Sequence, residues 1–319
     1  MKKFLLALLC AASVTAAGQE YPSKNVTLVV PYPAGGPTDQ LARLLAQKFQ
    51  ERLGQAFIVE NVTGGGTTIG TGRVVRAAPD GYTLLVHNLQ IAANPALYPK
   101  LPYDTEKDLA AVAFVNRNPM VLVGRKDLPP ATLAELLAYM RTRQVTISNA
   151  GSGSTAHLLT ALLGREGGAK VLAVPYRGGA PMVQDVLGGQ IDLTFGTPQQ
   201  LAPLVAAGRL KTYGVTQKET LAQFPGAESL VAALGPKLEV FYWSALFAPA
   251  ATPKLVVDRL NAVVQALVED PAIAKGWADI GVAPYPKEER SPQAAQALMR
   301  SEVERWSAVV RENGIQPAQ

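Results

Sequence analysis

Cysteine is almost absent from this sequence: the 319 residues contain one, Cys10, close to the N-terminus. A chain without a second cysteine cannot close an internal disulfide, so its stability must come from burial. Histidine is nearly as scarce. His87 and His157 are the only two, too few to build a catalytic zinc site, and no metal or other cofactor is expected. Charge of one sign is not concentrated either. The formal net charge is +5, and no Lys/Arg cluster offers a nucleic-acid footprint. Long hydrophobic runs are missing with one exception, Phe4–Val14, which follows Lys2 and Lys3 and precedes Thr15-Ala16-Ala17-Gly18. A basic start, an apolar run too short to span a bilayer and small residues behind it make residues 1–18 a secretory signal peptide. Leu9 stands where a lipoprotein signal wants a small residue, which leaves Cys10 inside the apolar run. Removing the leader takes away Lys2 and Lys3, so +5 becomes +3. Roughly 300 exported residues remain, enough for two domains and an ample core.

What the chain has in quantity is glycine-rich loops between strands and helices. Val26–Val30 reads as a buried strand, and Pro31–Pro37 (PYPAGGP) can continue neither strand nor helix. From Pro37, apolar residues at Leu41, Leu44, Leu45 and Phe49 keep helical spacing. The junction leaves free N–H groups and the positive end of a helix dipole, a receptor for a carboxylate or phosphate. Asp39 and Arg43 read as an i,i+4 pair supporting that helix. The device recurs. A second strand, Ala56–Glu60, runs into Gly64-Gly65-Gly66-Thr67-Thr68, with a short helix expected at Arg73–Ala77. A third strand, Tyr82–Val86, ends at His87-Asn88, before a turn at Asn94-Pro95. Strand-like runs at Val112–Val115 and Met120–Gly124 are separated by Arg117-Asn118-Pro119. Then the pattern restarts. Thr132–Arg141 reads as a helix with a capping-box spacing, followed by strand Val145–Asn149, loop Gly151-Ser152-Gly153-Ser154 and helix Thr155–Arg165. Strand Val171–Val174, loop Tyr176-Arg177-Gly178-Gly179, helix Ala180–Leu187, strand Ile191–Phe195, helix Pro198–Ala207 and strand Lys211–Val215 complete it. The alternation predicts an α/β fold with parallel strands and helices on both faces. Glu239–Pro249 adds a strand, and Pro253–Glu269 and Gln293–Glu312 add helices without a sheet of their own. They return to the first half, so the chain crosses twice between two α/β domains, near residues 118–124 and 238–246.

Three chemistries compete for the loops. Gly151–Ala156 matches GxGxxA, but Pro175-Tyr176-Arg177 stands where a dinucleotide site needs an acid about 20 residues on. The nucleophile elbow GxSxG is absent, because Ala150 and Ser154 flank where it needs glycine. Ser152 or Ser154 with His157 leaves a serine hydrolase open as the alternative, although the residues favour a binding protein without catalytic residues. Arg177 can pair with a ligand carboxylate or remain a solvated loop arginine. The side chains offered by the loops are donors: Tyr32, Thr38, Thr67, Thr68, Asn88, Ser152, Ser154, His157, Tyr176 and Arg177. Backbone comes close at Ala34, Gly35, Gly36, Gly66, Gly151, Gly153 and Gly178. With Asp39 assigned to its helix, these loops supply no obvious acid to accept an ammonium group. The expected ligand is therefore a small mono- or dicarboxylate without an amino group, with room for an aromatic one beside Tyr32 and Tyr176; the competing reading has Asp192 or Asp39 turn inward and accept an ammonium.

The segments YPSKNVTLVVPYPAGGPTDQLAR, VENVTGGGTTIG, AAPDGYTLL, NPALYPKLPYD, SNAGSGSTAHL, VPYRGGAPMVQDVLGGQIDLTF and FAPAATPKLVVDRLNAVV resemble the Bug/TctC family. These are periplasmic solute receptors of tripartite tricarboxylate transporters. The resemblance implies a two-domain type II periplasmic-binding-protein clamshell, each domain a mixed, mostly parallel sheet flanked by helices. It implies domain I at 19–121 and 243–319, domain II at 122–242, a periplasmic location and a monomer. The implied partners are a small organic carboxylate and the transporter's integral-membrane subunits, with a sensor kinase as the alternative recipient. By resemblance, one ligand carboxylate is held through backbone groups and ordered water at Tyr32–Thr38 and Gly65–Thr68, and the SGS and PYRGG loops line the other wall. The sequence departs from the family after QIDLTF, where Gly196 stands in place of a frequent Asp.

Overall fold

The computed structural model describes residues 21–316; the signal-peptide reading lies outside them. Strands β1 (Val26–Val30), β2 (Phe57–Asn61) and β3 (Thr83–Asn88) form a parallel set in which β1 lies between β2 and β3. Helices α1 (Pro37–Leu53) and α2 (Thr68–Val75) connect them, and α3 (Gln90–Leu97) follows β3. Along β1 the side chains alternate as the pleat requires: Val26, Leu28 and Val30 enter one buried cluster, and Val29 enters another. Strand β4 (Leu109–Pro119) belongs to the first sheet, and Met120 alone separates it from β5 (Val121–Arg125), which belongs to the second.

After α4 (Leu133–Thr142), the first arrangement repeats. Strands β6 (Val145–Asn149), β7 (Val171–Pro175) and β8 (Leu193–Gly196) are parallel with β6 central, joined by α5 (Thr155–Glu166) and α6 (Gly179–Leu187). Helix α7 (Pro198–Ala206), β9 (Leu210–Val215), β10 (Glu228–Ser229) and α8 (Leu230–Leu234) complete that half, and the chain returns as β11 (Phe241–Pro249). Helices α9 (Lys254–Val268) and α10 (Pro271–Asp279), strand β12 (Ala283–Pro284) and helix α11 (Pro292–Glu312) close the fold. The sheet orders are β12-β4-β11-β3-β1-β2 and β10-β9-β5-β8-β6-β7. Both are mixed. The parallel strands expected from the alternation are present, and the antiparallel pairs are made by β4, β5, β11 and their neighbours at the crossings.

Several local readings are corrected. Arg117-Asn118-Pro119 does not interrupt a strand: β4 runs through it, and Pro119 sits at the strand's end, where a missing N–H costs little. Asn94-Pro95 is not a turn but lies inside α3, whose Ile91 and Leu97 are buried in one cluster with Met299, Val303 and Trp306 of α11. Tertiary burial there overrides the proline signal. The helix expected at Arg73–Ala77 begins five residues earlier, at Thr68. Helices α8 and α10 lie in stretches for which the sequence pattern predicts no element. Helix α4 starts as expected, with the Thr132 hydroxyl accepting from the Glu135 N–H at 3.2 Å.

The crossings are stitched together by one residue. Thr216, fully buried beyond β9, donates its N–H to the Met120 carbonyl at 3.0 Å and accepts from the Val240 N–H at 3.1 Å. Its hydroxyl accepts from the Met120 N–H at 2.8 Å and donates to the Val240 carbonyl. Both inter-sheet segments therefore lean on the same side chain.

Candidate functional site

All the glycine-rich loops follow the C-terminal ends of parallel strands, where open α/β sheets place their ligands. After β1 the chain bends through Pro31–Gly36, and Gly36 precedes α1 in an extended conformation without a side-chain cap. The loop is shaped by Asp39, which is 2% exposed. Its Oδ2 accepts from the Gly35 N–H at 2.9 Å, its Oδ1 from Asn61 Nδ2 at 2.9 Å, and both oxygens accept from Arg43. Burial pushes the Asp39 pKa up, but the bonds from Arg43, Gly35 and Asn61 outweigh it and hold the carboxyl below its usual range. The expected Asp39–Arg43 pair is present, but the carboxylate does more, and it takes the Gly35 N–H that the sequence reading offered to a ligand.

Behind this loop lies a ring of polar side chains. The Tyr32 hydroxyl donates to Asn88 Oδ1 at 2.7 Å, while Asn88 Nδ2 donates to Thr38 Oγ1 and to the Tyr242 hydroxyl, both at 3.1 Å. Thr38 Oγ1 and the Tyr242 hydroxyl are 2.7 Å apart. Burial raises both tyrosines, Tyr32 to well above its ordinary value, so they remain hydroxyls. His87 meets Tyr32 edge-on with ring centroids 5.3 Å apart. Fully buried, its pKa is lowered to about 3 by desolvation, and it is neutral.

The second loop carries the most unusual backbone. Gly64, Gly65 and Gly66 all have positive φ, and Thr67, at φ 79°, is the one non-glycine residue of that kind among those described. Gly66 has no alternative, because a Cβ there would sit 1.9 Å from the Tyr98 hydroxyl. Thr67 Oγ1 accepts from Asn94 Nδ2 at 3.0 Å, and the Thr68 hydroxyl donates to the Gly65 carbonyl at 2.8 Å. A strained non-glycine residue held by side chains from another element is a signature of a shaped site.

On the second sheet, Gly151 donates its N–H to Asn149 Oδ1 at 3.0 Å. Ser154 caps α5, its hydroxyl accepting from the His157 N–H at 3.3 Å. The imidazole Nδ1 of His157 accepts from the Gly153 N–H at 3.1 Å, and burial lowers the ring's pKa. Ser154 and His157 thus meet through a helix cap and a loop amide, not as a nucleophile and its base. Ser152, Gly153 and Ser154 are buried in this loop. In the next loop the Tyr176 hydroxyl donates to Asp185 Oδ2 at 2.5 Å, and desolvation followed by that bond pushes its pKa up to about 12. Arg177 is exposed. Gly178 reaches the first sheet: a Cβ on it would lie 3.6 Å from Pro33 Cγ. At Gly196, Leu201 fills the space a side chain would need, with Cδ1 2.7 Å from a Cβ built there.

Loops from the two sheets therefore approach one another around Pro33, Gly66, Ser152 and Gly178. Tyr32, Thr38 and Asn88 gather into one network on the first sheet, whereas Arg177 stays outside it. The sequence reading missed Tyr242, Gln90, Asn94 and Asn61. Tyr242 arrives on a strand more than 200 residues after Tyr32, and no local pattern connects them. Concavities of about 650 Å³, bordered by Arg43, Gln50 and Phe57, and about 310 Å³, bordered by Pro95, Tyr98 and Tyr103, are lined by none of the loop glycines. Among the described residues no cluster of His, Cys, Asp and Glu could hold a metal ion, and no helix is long and apolar enough to cross a membrane.

Comparison with known proteins places this geometry. The model of the tripartite tricarboxylate transporter family receptor matches residues 41–315. A UPF0065 protein of Agrobacterium vitis, from the ttuE-ttuC' intergenic region, is 35% identical over 98% of this chain and 92% of its own. MatC from Rhodopseudomonas palustris, solved with bound malate, superposes with a TM-score of 0.83 at 33% identity, covering 91% of this chain and 100% of that one. A second protein of R. palustris, Rpa4515, solved with adipate, gives 0.86 at 33% identity over 93% and 100%.

Proposed function

Because the chain belongs to the tripartite tricarboxylate transporter receptor family, we propose that it captures a small organic carboxylate between its two sheets outside the cytoplasm. It delivers that ligand to the integral-membrane subunits of such a transporter. The observation that carries the reading is the meeting of glycine-rich loops from both sheets at the C-terminal ends of their parallel strands. Two relatives hold malate and adipate. Two acids that could have accepted an ammonium group are engaged elsewhere. Asp39 is saturated by Gly35, Arg43 and Asn61, and Asp192 is held by Arg125 and by the Thr146 N–H and hydroxyl. Leu201 occupies the room an acid at position 196 would take, which fits a ligand lacking a cation.

In this reading residues 1–18 direct export to the periplasm. Domain I comprises 19–121 and 243–319, domain II comprises 122–242, and the receptor works as a monomer without cofactor or turnover. Delivery to a sensor kinase instead of a transporter uses the same site. A thermal-shift screen with malate, succinate, adipate and aspartate tests the ligand class. A ligand at 100 times its Kd adds about 2.7 kcal/mol, so the dicarboxylates raise Tm by several degrees and aspartate does not. No shift with any carboxylate contradicts the proposal.

A further inference from the structure

The first residue of α3 touches three of the glycine-rich segments at once. Gln90 is 4% exposed. Its Nε2 donates to the Gly66 carbonyl at 3.2 Å and to the Ser152 carbonyl at 2.8 Å. Its Oε1 takes the weaker share of the Tyr32 hydroxyl hydrogen, at 3.4 Å against 2.7 Å for Asn88 Oδ1, and its backbone N–H donates to Asn88 Oδ1 at 3.0 Å. Tyr32, Gly66 and Asn88 belong to the first sheet and its loops; Ser152 follows β6 of the second. Of these four bonds only the one to Ser152 runs between the sheets.

That bond grips a peptide unit already held from its other side. The carbonyl of the Ser152–Gly153 peptide accepts from Gln90, and its N–H donates to His157 Nδ1 at 3.1 Å. Both ends of one peptide plane are fixed, which sets the orientation of the whole Gly151–Ser154 loop. Gly153 can lie this close to α3 because it has no side chain: a Cβ there would be 2.5 Å from Leu97 Cδ1 and 3.5 Å from Gln90 Cγ. The two hydrogens of the Gln90 amide match the two carbonyls, so the group is fully used only while the second-sheet loop is seated.

We propose that Gln90 is the latch of the binding cleft, a positioning residue whose carboxamide seats the Gly151–Ser154 loop against α3 and holds the two walls together. The proposal rests on the receptor reading above. His157 works with it as the opposite clamp on the same peptide. When the sheets part, the bond to Ser152 breaks and one amide hydrogen loses its partner. A neutral hydrogen bond of this kind is worth a factor of about two to ten in an equilibrium.

The test uses pulsed EPR distances between spin labels at Arg52 on α1 and Ala138 on α4, both exposed, in the full chain carrying Cys10→Ser. Wild type is compared with Gln90→Leu, which keeps the bulk and loses the amide, and with Gln90→Asn, which keeps the amide and loses its reach. Each is measured without ligand and with saturating malate or adipate. In both variants the ratio of short to long distances falls by about two to tenfold. Stopped-flow dissociation of the bound dicarboxylate speeds up by the same factor while association is unchanged, a split that general destabilisation does not produce. Distance distributions identical to wild type in both conditions overturn the latch, whatever the ligand does. Altered distances in a protein that binds neither dicarboxylate leave the latch standing and count against the ligand class.

Discussion

His87 puts a pH dependence into the stability of the first sheet. It is neutral when folded, with a pKa lowered to about 3 by burial, whereas the unfolded chain takes up its proton near pH 6.5. The unfolded state thus binds more protons between those values, so stability is full above about pH 6.5 and falls as pH drops towards 3. The slope reaches about 1.4 kcal/mol per pH unit for one proton. His157, also lowered by burial, adds in the same direction. Urea midpoints of His87→Gln between pH 4.5 and 7 should show a flatter dependence than wild type, with the parts due to His157 and to the lowered carboxylates such as Asp39 remaining; an unchanged slope means the imidazole protonates in the folded state. Gly153 is the other telling residue. Its φ of 76° strains any side chain, and a Cβ would strike Leu97 at 2.5 Å, so Gly153→Val should weaken carboxylate binding at least about tenfold, roughly 1.4 kcal/mol. Gly35→Val meets no neighbour within 4 Å and acts only through its φ of 85°, so its effect should be smaller. Equal binding by wild type and Gly153→Val, read by calorimetry, would place the ligand elsewhere. At this scale the sequence told much about backbone and little about side chains. Glycine and proline announce loops because they restrict φ locally, which made Tyr32–Thr38, Gly66 and Gly151–Gly153 legible. The partners that fix those loops, Tyr242, Gln90 and Asn61, come from remote strands and helices and leave no local trace.

Elements with a strong period were readable, and those shaped by neighbours were not. Strands β1 and β6 match their expected bounds because β1 has five apolar or β-branched residues, and β6 opens with three, ahead of a glycine-rich breaker. Helix α3 was hidden by Pro95 and formed by packing against α11. Strand β4 was hidden by a polar Arg-Asn-Pro run that is nonetheless paired with β11 along its length. The crossing segments are the elements with most at stake, and Thr216 is where they meet. Thr216→Val removes the hydroxyl that serves the buried Met120 N–H and Val240 carbonyl. Two unpaired backbone groups should cost about 1–3 kcal/mol, read as a lower urea midpoint with unchanged m-value, and Thr216→Ser should restore most of it. A valine variant as stable as wild type would show that water replaces the hydroxyl.

As a whole the molecule is two copies of one idea, a three-stranded parallel unit whose loops point at a shared cleft, each completed by an antiparallel strand beside its third parallel strand. β5 completes the second sheet and β11 the first. Its halves are not separately packed. One apolar cluster runs from Val29 and Leu85 on the first sheet through α3, α5 and α11 to Ile147 and Leu193 on the second. A cleft between sheets that share a core can close through a small change, and backbone-rich walls suit a ligand recognised by its carboxylates. Titration calorimetry with a dicarboxylate and its α-amino analogue, succinate against aspartate and adipate against 2-aminoadipate, tests this most directly. The engagement of Asp39 and Asp192 within the fold leads us to expect the unsubstituted dicarboxylate to bind at least about tenfold more tightly. Tighter binding of the amino acid would contradict it, because the site would then hold an acceptor for an ammonium group.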